Sequence, residues 1–182
     1  MQDAGGWRRR ATRILFESPW LRLRQDEVTL PAGEEITYTY VDHDGYVVIV
    51  PVLDDGRVVM ERIHRYTVGR SLLECPSGGL DGEDAIVAAR RELEEETGYL
   101  AGQVVRLGGF YGSTGISNER YEVCLATDLR PEGQVCREAT EQIELELHDL
   151  DSLRQRALRG EIEDAASAFA LLLASEHWKP AR

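Results

Sequence analysis

The sequence predicts an α+β fold with an antiparallel β extension at the N-terminus. Two patterns indicate this class. Short stretches rich in β-branched and aromatic residues recur between Gly, Pro and Asp turns. Three helix-like stretches lie among and after these strands. The length of 182 residues predicts one main domain with a sizeable core.

The N-terminal region predicts an antiparallel hairpin. Trp20–Arg24 and Ile36–Val41 alternate apolar and polar residues, and Pro31–Gly33 between them is a turn sequence. The Trp-Arg-Arg-Arg cluster near the start has no apolar stretch after it, which argues against a secretory signal. We therefore expect a flexible tail at 1–11, a β subdomain at 12–44 and the main domain at 45–182.

A second hairpin is predicted where the main domain begins. Tyr46–Leu53 is a run of β-branched residues, and Asp54-Asp55-Gly56 connects it to Arg57–Met60. Ser71–Cys75 predicts a short strand that stops at Pro76. Further strands are expected at 104–107, 121–126 and 143–147.

The clearest helix signal runs from Glu83 or Asp84 to Thr97. Acids lie in its first turn, alanines and a leucine fill its middle, and Gly98 is a natural C-terminal stop. The last third of the chain predicts two more helices, Leu150–Leu158 and Asp164–His177.

Composition excludes several classes of function. The chain has 21 Lys and Arg against 33 Asp and Glu, a net charge of −12, which excludes a generally basic nucleic-acid binder. No apolar run approaches the roughly 18–20 residues of a membrane span. Cys75, Cys124 and Cys136 form no CxxC pair and no zinc site, so we expect a reducing, cytoplasmic setting.

Three acids of the first helix fall close together on its surface. At about 100° per residue, Glu92, Glu95 and Glu96 lie within an arc of roughly 100°. Carboxylates this close repel one another unless a cation neutralises them, and oxygen ligands suit Mg²⁺ or Mn²⁺. The alternative is a solvated helix face on which Arg90 and Arg91 pair with acids one turn later.

The segment from Gly78 to Tyr99 resembles the Nudix box, G-x5-E-x7-R-E-U-x-E-E-x-G-U, where U is aliphatic or aromatic. The stretch Arg91–Tyr99 matches the second half of the box at every fixed position, and Glu83 stands at the correct distance before Arg91. The loop between Gly78 and Glu83 is one residue shorter than in the box. The resemblance implies the Nudix fold, in which a mixed β-sheet is sandwiched between helices (α/β/α).

Four further passages are similar to the ADP-ribose pyrophosphatase branch of that family. They are R-Y-x-x-G-R at 65–70, L-E-x-P-x-G at 73–78, F-Y-x-S-x-G-x-S-x-E at 110–119 and G-x-I-x-D-A at 160–165. One departure bears on the substrate, because Thr114 stands where the branch usually has proline.

The resemblance implies a role for each matched residue. The implied metal ligands are the carbonyl of Ser77 and the carboxylates of Glu92, Glu95 and Glu96. The residues implied in catalysis are Arg91, which orients the glutamates, and Glu95 and Glu119, which compete for the role of general base. The candidates for substrate binding are Arg65, Gly78, Trp20 and Tyr38. The alternatives left open are that Arg65 only pairs with Glu74, that Glu119 is solvated, and that the aromatic residues only pack across strands.

The implied reaction is divalent-metal-dependent hydrolysis of ADP-ribose, or a similar nucleotide sugar, to AMP and ribose 5-phosphate. Thr114 leaves open another nucleotide sugar, NADH or FAD, or a modified nucleoside triphosphate. A non-catalytic nucleotide-binding module is a further alternative. The resemblance also implies a homodimer that exchanges its N-terminal strands, although these strands could equally pack on their own sheet. The expected partner is a small nucleotide, with no nucleic acid and no membrane.

Overall fold

The computed structural model describes residues 5–137 and 142–179. Within these ranges the strands are β1 (Arg8–Glu17), β2 (Arg22–Thr29), β3 (Glu35–Asp42), β4 (Tyr46–Pro51), β5 (Arg57–Arg65), β6 (Arg70–Glu74), β7 (Ser77–Gly79), β8 (Leu100–Tyr111), β9 (Arg120–Arg130) and β10 (Ile143–Asp149). The helices are α1 (Ala85–Thr97), α2 (Leu150–Leu158) and α3 (Ala165–His177). None of the helices in these ranges combines the length and the apolar character that a membrane crossing requires.

The chain divides into two compact units. The first contains the described residues up to Asp44 together with Tyr111–Arg120. The second contains Gly45–Phe110 and the described residues from Tyr121 onward. The sequence did not predict that the segment after β8 belongs to the first unit.

In the first unit, β1, β2 and β3 form an antiparallel sheet in that order. The predicted β2–β3 hairpin is confirmed, with Arg24 opposite Tyr40. The flexible tail expected at 1–11 is wrong for residues 8–11, because they lie in β1 and pair with the end of β2. Most side chains of β1 are exposed, so the strand carries no buried alternating pattern by which the sequence could reveal it. Residues 1–4 lie outside the described ranges.

The second unit is built around the mixed sheet β7-β4-β9-β8, in which β4 runs parallel to β9. Alternate residues of β4 point to opposite faces of this sheet. Val48 and Val50 pack in a cluster with α2 and α3, whereas Val47 and Ile49 pack against α1. Helices therefore cover both faces, and the predicted α/β/α arrangement is confirmed.

The second predicted hairpin, β4 with β5, is wrong. The turn itself forms, and the N–H of Gly56 donates to the carbonyl of Leu53 at 2.9 Å. Beyond a single bridge between Val52 and Val58, the strands enter different sheets, since β5 pairs with β10 and β6. β4 is buried on both faces and takes a central place beside β9, so burial overrides the local turn signal.

The predicted helices agree closely with the structure. Helix α1 is capped by Asp84, whose side chain accepts from the N–H of Ile86 at 2.9 Å, and it ends at Gly98 with φ 74°. The acids predicted in its first turn lie before that turn, at the cap. Helix α2 has the predicted bounds, and α3 begins directly after its cap, Asp164.

Candidate active site

A short connection between β6 and β7 brings the main chain against α1. Pro76 follows the end of β6, and β7 then pairs with β4. The N–H of Ser77 donates to Oε2 of Glu96 at 2.9 Å. The side chain of Glu96 is thus held at the strand that carries the Ser77 carbonyl.

Gly78 provides the space in which Glu92 lies. A Cβ built on Gly78 would stand 2.0 Å from Cδ of Glu92, a distance that no side chain can tolerate. Glu92 is only 8% exposed, and burial raises its pKa, although the hydrogen bond from Arg91 opposes that rise. A buried carboxylate in contact with main chain is a position that a cation would stabilise.

Arg91 organises the acids of α1. Its Nε donates to Glu83 at 3.0 Å, and its Nη1 donates to Glu92 at 2.7 Å and to Glu95 at 3.4 Å. Partial burial alone would lower the pKa of Arg91. The hydrogen bonds to Glu83 and Glu92 outweigh this effect, so the pKa of Arg91 is raised. The guanidinium therefore stays charged and fixes three carboxylates around one fork.

Arg91 also donates to two groups that the sequence did not predict as its partners. Nη2 donates to the carbonyl of Gly79 at 2.9 Å and to Asp81 at 3.2 Å. Asp81 has a positive φ of 51°, a conformation that aspartate adopts more readily than most residues. The shortened loop is thus tied directly to Arg91. An acid in a glycine loop was visible in the sequence, but its partner was not.

The carboxylates that the resemblance implies as metal ligands are engaged in hydrogen bonds in this structure. Across the described residues, no three His, Cys, Asp or Glu side chains are arranged so that they could hold a metal ion. Glu92 and Glu95 instead share Nη1 of Arg91, and Glu96 accepts from Ser77. The donor chemistry fits a hard divalent cation, because the carboxylates and the Ser77 carbonyl offer only oxygen. The ligand assignment stays a prediction.

Arg65 forms a paired fork with Glu74, the alternative that the sequence left open. Its Nε and Nη2 donate to the carboxylate of Glu74 at 3.0 and 2.7 Å. This hydrogen bonding raises the pKa of Arg65. Glu74 is buried, but the side chain of Arg65 remains 41% exposed, so the guanidinium can also meet an anion.

The other predicted residues lie in the first unit. The Tyr38 hydroxyl donates to the carbonyl of Gly115 at 3.3 Å, which joins β3 to the loop that carries Glu119. Trp20 lies in the turn between β1 and β2 and is 70% exposed. Trp7, which was not predicted, contacts the ring of Tyr38 edge-on, with 6.4 Å between centroids.

A segment that the sequence did not single out caps the C-terminal end of α1. The N–H of Cys136 donates to the Glu95 carbonyl at 2.8 Å, and Nε of Arg137 donates to the Glu96 carbonyl at 2.8 Å. A cation at a helix C-terminus satisfies free carbonyls and complements the helix dipole. These contacts fix the turn that carries two of the predicted metal ligands. Nothing in the sequence signals them.

Comparison with known proteins agrees with this fold. Residues 42–169 match the family model described as NUDIX domain, and residues 7–41 match the nucleoside diphosphate sugar hydrolase N-terminal domain. The chain is 34% identical over 161 residues to an ADP-ribose pyrophosphatase of Bacillus subtilis, covering 86% of each. It is 36% identical over 153 residues to an ADP-ribose pyrophosphatase of Mycobacterium tuberculosis, covering 82% of this chain and 74% of the relative.

A solved structure shares the fold. The crystal structure of an ADP compounds hydrolase superposes with a TM-score of 0.82 at 22% identity, covering 94% of this chain and 93% of that one. The family match and the matched ADP-ribose pyrophosphatases define the class as a hydrolase, and hydrolases of this class generally use divalent metal ions. The chain belongs to the Nudix family, as the match over residues 42–169 shows.

Proposed function

We propose that this protein hydrolyses ADP-ribose to AMP and ribose 5-phosphate, with Mg²⁺ as the metal ion. The observation that carries the proposal is the single arginine, Arg91, that holds Glu92 and Glu95 on a helix packed against Gly78. The matched N-terminal domain and the two ADP-ribose pyrophosphatases support a nucleoside diphosphate sugar as the substrate.

Four groups would hold the ion: the Ser77 carbonyl, Glu92, Glu95 and Glu96. When bound, the ion would acidify a water, neutralise the diphosphate and stabilise the charge that develops at phosphorus. Arg91 keeps two of these carboxylates within reach of one nitrogen. Glu83 and Asp81 hold the far side of the guanidinium and so limit its movement.

Arg65 would bind the diphosphate. A substrate with two or more negative charges approaches a chain of net charge −12, so a local cation is needed. The planar guanidinium suits phosphate oxygens, and Glu74 beneath it fixes its orientation. The N–H groups of the loop that opens at Gly78 would add donors to the same phosphates.

Glu95 is our candidate for the general base. Its side chain is 40% exposed, whereas Glu92 and Glu96 are buried, so Glu95 can pass a proton to solvent. In the proposed step the water oxygen bonds to one phosphorus, one of its protons passes to Glu95, and the bond from that phosphorus to the bridging oxygen breaks. The products are two phosphate monoesters, AMP and ribose 5-phosphate. Glu119 is the rival base, and Trp20 and Tyr38 are proposed to stack on the adenine.

The test is product release from a panel of substrates with Mg²⁺ or with chelator. ADP-ribose, other nucleotide sugars, NADH, FAD and a modified nucleoside triphosphate are compared by kcat/KM. We expect metal-dependent AMP release that is fastest with ADP-ribose. Thr114 leaves open a different preferred substrate. A higher kcat/KM with another compound would change the substrate assignment but not the assignment as a hydrolase. Saturable binding without turnover of any compound would indicate a nucleotide-binding module.

We further propose a cytoplasmic homodimer. Leu15, Phe16 and Trp20 are exposed in the first unit, and apolar side chains in such a sheet favour burial by a second copy. Cys75, Cys124 and Cys136 are free thiols, which suits a reducing compartment. Light scattering should give twice the chain mass of 20.5 kDa, and a monomer at all concentrations would contradict the dimer.

A further inference from the structure

The first turn of α3 is joined to the connection between β6 and β7 by a buried hydrogen bond. The N–H of Cys75, the residue after β6, donates to Oγ of Ser167 at 2.9 Å. Ser167 is 1% exposed and Cys75 is equally buried. A buried N–H that loses its acceptor is costly, so this contact constrains the main chain at Cys75.

Ser167 is itself held by the cap of its helix. Its backbone N–H donates to Oδ2 of Asp164 at 2.7 Å. One aspartate thus begins α3 and fixes the backbone from which the Ser167 hydroxyl projects. The hydroxyl is therefore placed by the helix start and does not depend on a flexible side chain.

The connection Glu74–Ser77 is anchored by three different elements. Besides the bond from Cys75 to α3, the carbonyl of Pro76 accepts from the N–H of Ile49 in β4 at 2.9 Å. The N–H of Ser77 donates to Glu96 in α1 at 2.9 Å. The two ends of this connection carry proposed functions, because Glu74 holds Arg65 and the carbonyl of Ser77 would be a metal ligand.

We propose that Ser167 is a positioning residue for the reaction. By fixing the main chain at Cys75, Ser167 sets the positions of two groups. One is Glu74, which orients Arg65, and the other is the carbonyl of Ser77. This inference rests on the proposed function, since it assigns Arg65 to the diphosphate and Ser77 to the metal. The role is distinct from catalysis, because the Ser167 hydroxyl is sealed from solvent and bonded to the main chain.

The test compares four single variants. Ser167→Ala removes the acceptor, Ser167→Cys keeps the side-chain shape with a larger sulfur that accepts only weakly, and Ser167→Thr keeps the hydroxyl. Ser175→Ala is the matched control, because Ser175 lies on the same helix and its hydroxyl donates to the Leu172 carbonyl, away from the connection. Melting temperatures of all variants separate loss of folding from loss of position.

For Ser167→Ala and Ser167→Cys we expect KM for ADP-ribose and the Mn²⁺ dissociation constant to rise by about tenfold, the effect of one buried hydrogen bond. We expect kcat at saturating substrate and metal to change by less than about twofold, because the lost contact stabilises the bound substrate and the transition state equally. Ser167→Thr keeps the hydroxyl, so both constants should stay near their wild-type values. Ser175→Ala should match the wild type. If Ser167→Ala fails to fold, Ser167→Cys, which has the same side-chain shape as serine, provides the test.

Mn²⁺ binding is measured by electron paramagnetic resonance without substrate, so it does not depend on turnover. A wild type that binds no Mn²⁺ and hydrolyses nothing would overturn the proposed function and this inference with it. An active wild type whose Ser167→Ala and Ser167→Cys variants keep both constants would overturn only the inference. A double-mutant cycle adds a third readout: in an Arg65→Ala background, the KM effect of Ser167→Ala should shrink, and full additivity would contradict action through Arg65.

Discussion

The carboxylate of Glu92 occupies the space that a side chain at position 78 would fill. A Cβ on Gly78 would lie 2.0 Å from Cδ of Glu92 and 2.2 and 2.3 Å from its two oxygens. The site therefore requires glycine here for its missing side chain and the close approach that this permits. Glu92 is buried against the strand that also carries Ser77, so the two predicted ligands share one small region.

Gly78→Ala should lower kcat/KM strongly while the protein still folds. The new methyl group must displace the Glu92 carboxylate or separate β7 from α1, and either change moves a predicted metal ligand. We expect kcat/KM to fall by about 10²-fold or more, as for other misplaced catalytic groups. Steady-state AMP release and a circular dichroism melting curve check the two parts of this prediction.

Gly79→Ala is the control for that variant. Its Cβ would meet Oδ1 of Asp81 at 3.1 Å, and the exposed Asp81 side chain can relieve this contact by a small shift while still accepting from Arg91. We expect kcat/KM within a few-fold of wild type. Equal damage from both alanines would show that the strand, and not the Glu92 contact, is sensitive.

Arg91→Lys should lower kcat strongly although it keeps the charge. A lysine has one nitrogen and cannot reach Glu83, Glu92 and the Gly79 carbonyl together, as the guanidinium does. Arg90→Lys on the same helix is the matched control, since the guanidinium of Arg90 donates to the Ala101 and Gly102 carbonyls of β8. Comparable kcat values for the two lysine variants would contradict the organising role of Arg91.

Native thiol labelling should modify Cys136 alone. Cys75 and Cys124 are buried, and burial raises the pKa of both thiols, to about 12 for Cys124. Because the thiolate is the nucleophile, neither reacts with iodoacetamide at pH 8, whereas the exposed Cys136 is accessible. Mass spectrometry should find one adduct on the native protein and three after denaturation. Rapid native labelling of Cys124 would show that the core opens.

Gly56→Ala should destabilise the second unit more than Gly160→Ala. Both glycines have positive φ, 85° and 71°, so alanine costs roughly 1–2 kcal/mol at either position. A Cβ at Gly56 would also meet the Trp178 ring at 3.1 Å, whereas nothing lies within 4 Å at Gly160. Thermal unfolding should give the larger loss for Gly56→Ala. Equal losses would mean that Trp178 moves aside without cost.

Local signals predicted the helices well because caps and stops are local. Asp84 caps the N-terminus of α1 and Gly98 ends the helix, as their capping preferences predict, and α2 has the predicted ends. Strand pairing was predicted less well. The Asp-Gly turn before β5 forms, but the partner of β4 depends on which of its faces are buried. That is a property of the whole fold, which a turn sequence does not contain.

The candidate site shows the same division. The Nudix resemblance named Arg91, Glu92 and Glu96, whose spacing is fixed along one helix. It did not reveal Arg137 on the Glu96 carbonyl or Ser167 on Cys75, because these contacts join residues more than 40 positions apart. Long-range hydrogen bonds of this kind leave no periodic mark in a single sequence.

The most direct measurement is the rate of AMP release from ADP-ribose by the wild type, Glu95→Gln and Glu96→Gln, each with Mg²⁺ and with chelator. Glutamine can still accept the Ser77 hydrogen bond at position 96, so folding should be retained while the charge is lost. We predict that chelator abolishes wild-type turnover and that each substitution lowers kcat by several orders of magnitude. AMP release that survives chelator, or near-normal rates in both variants, would contradict the proposed metal site.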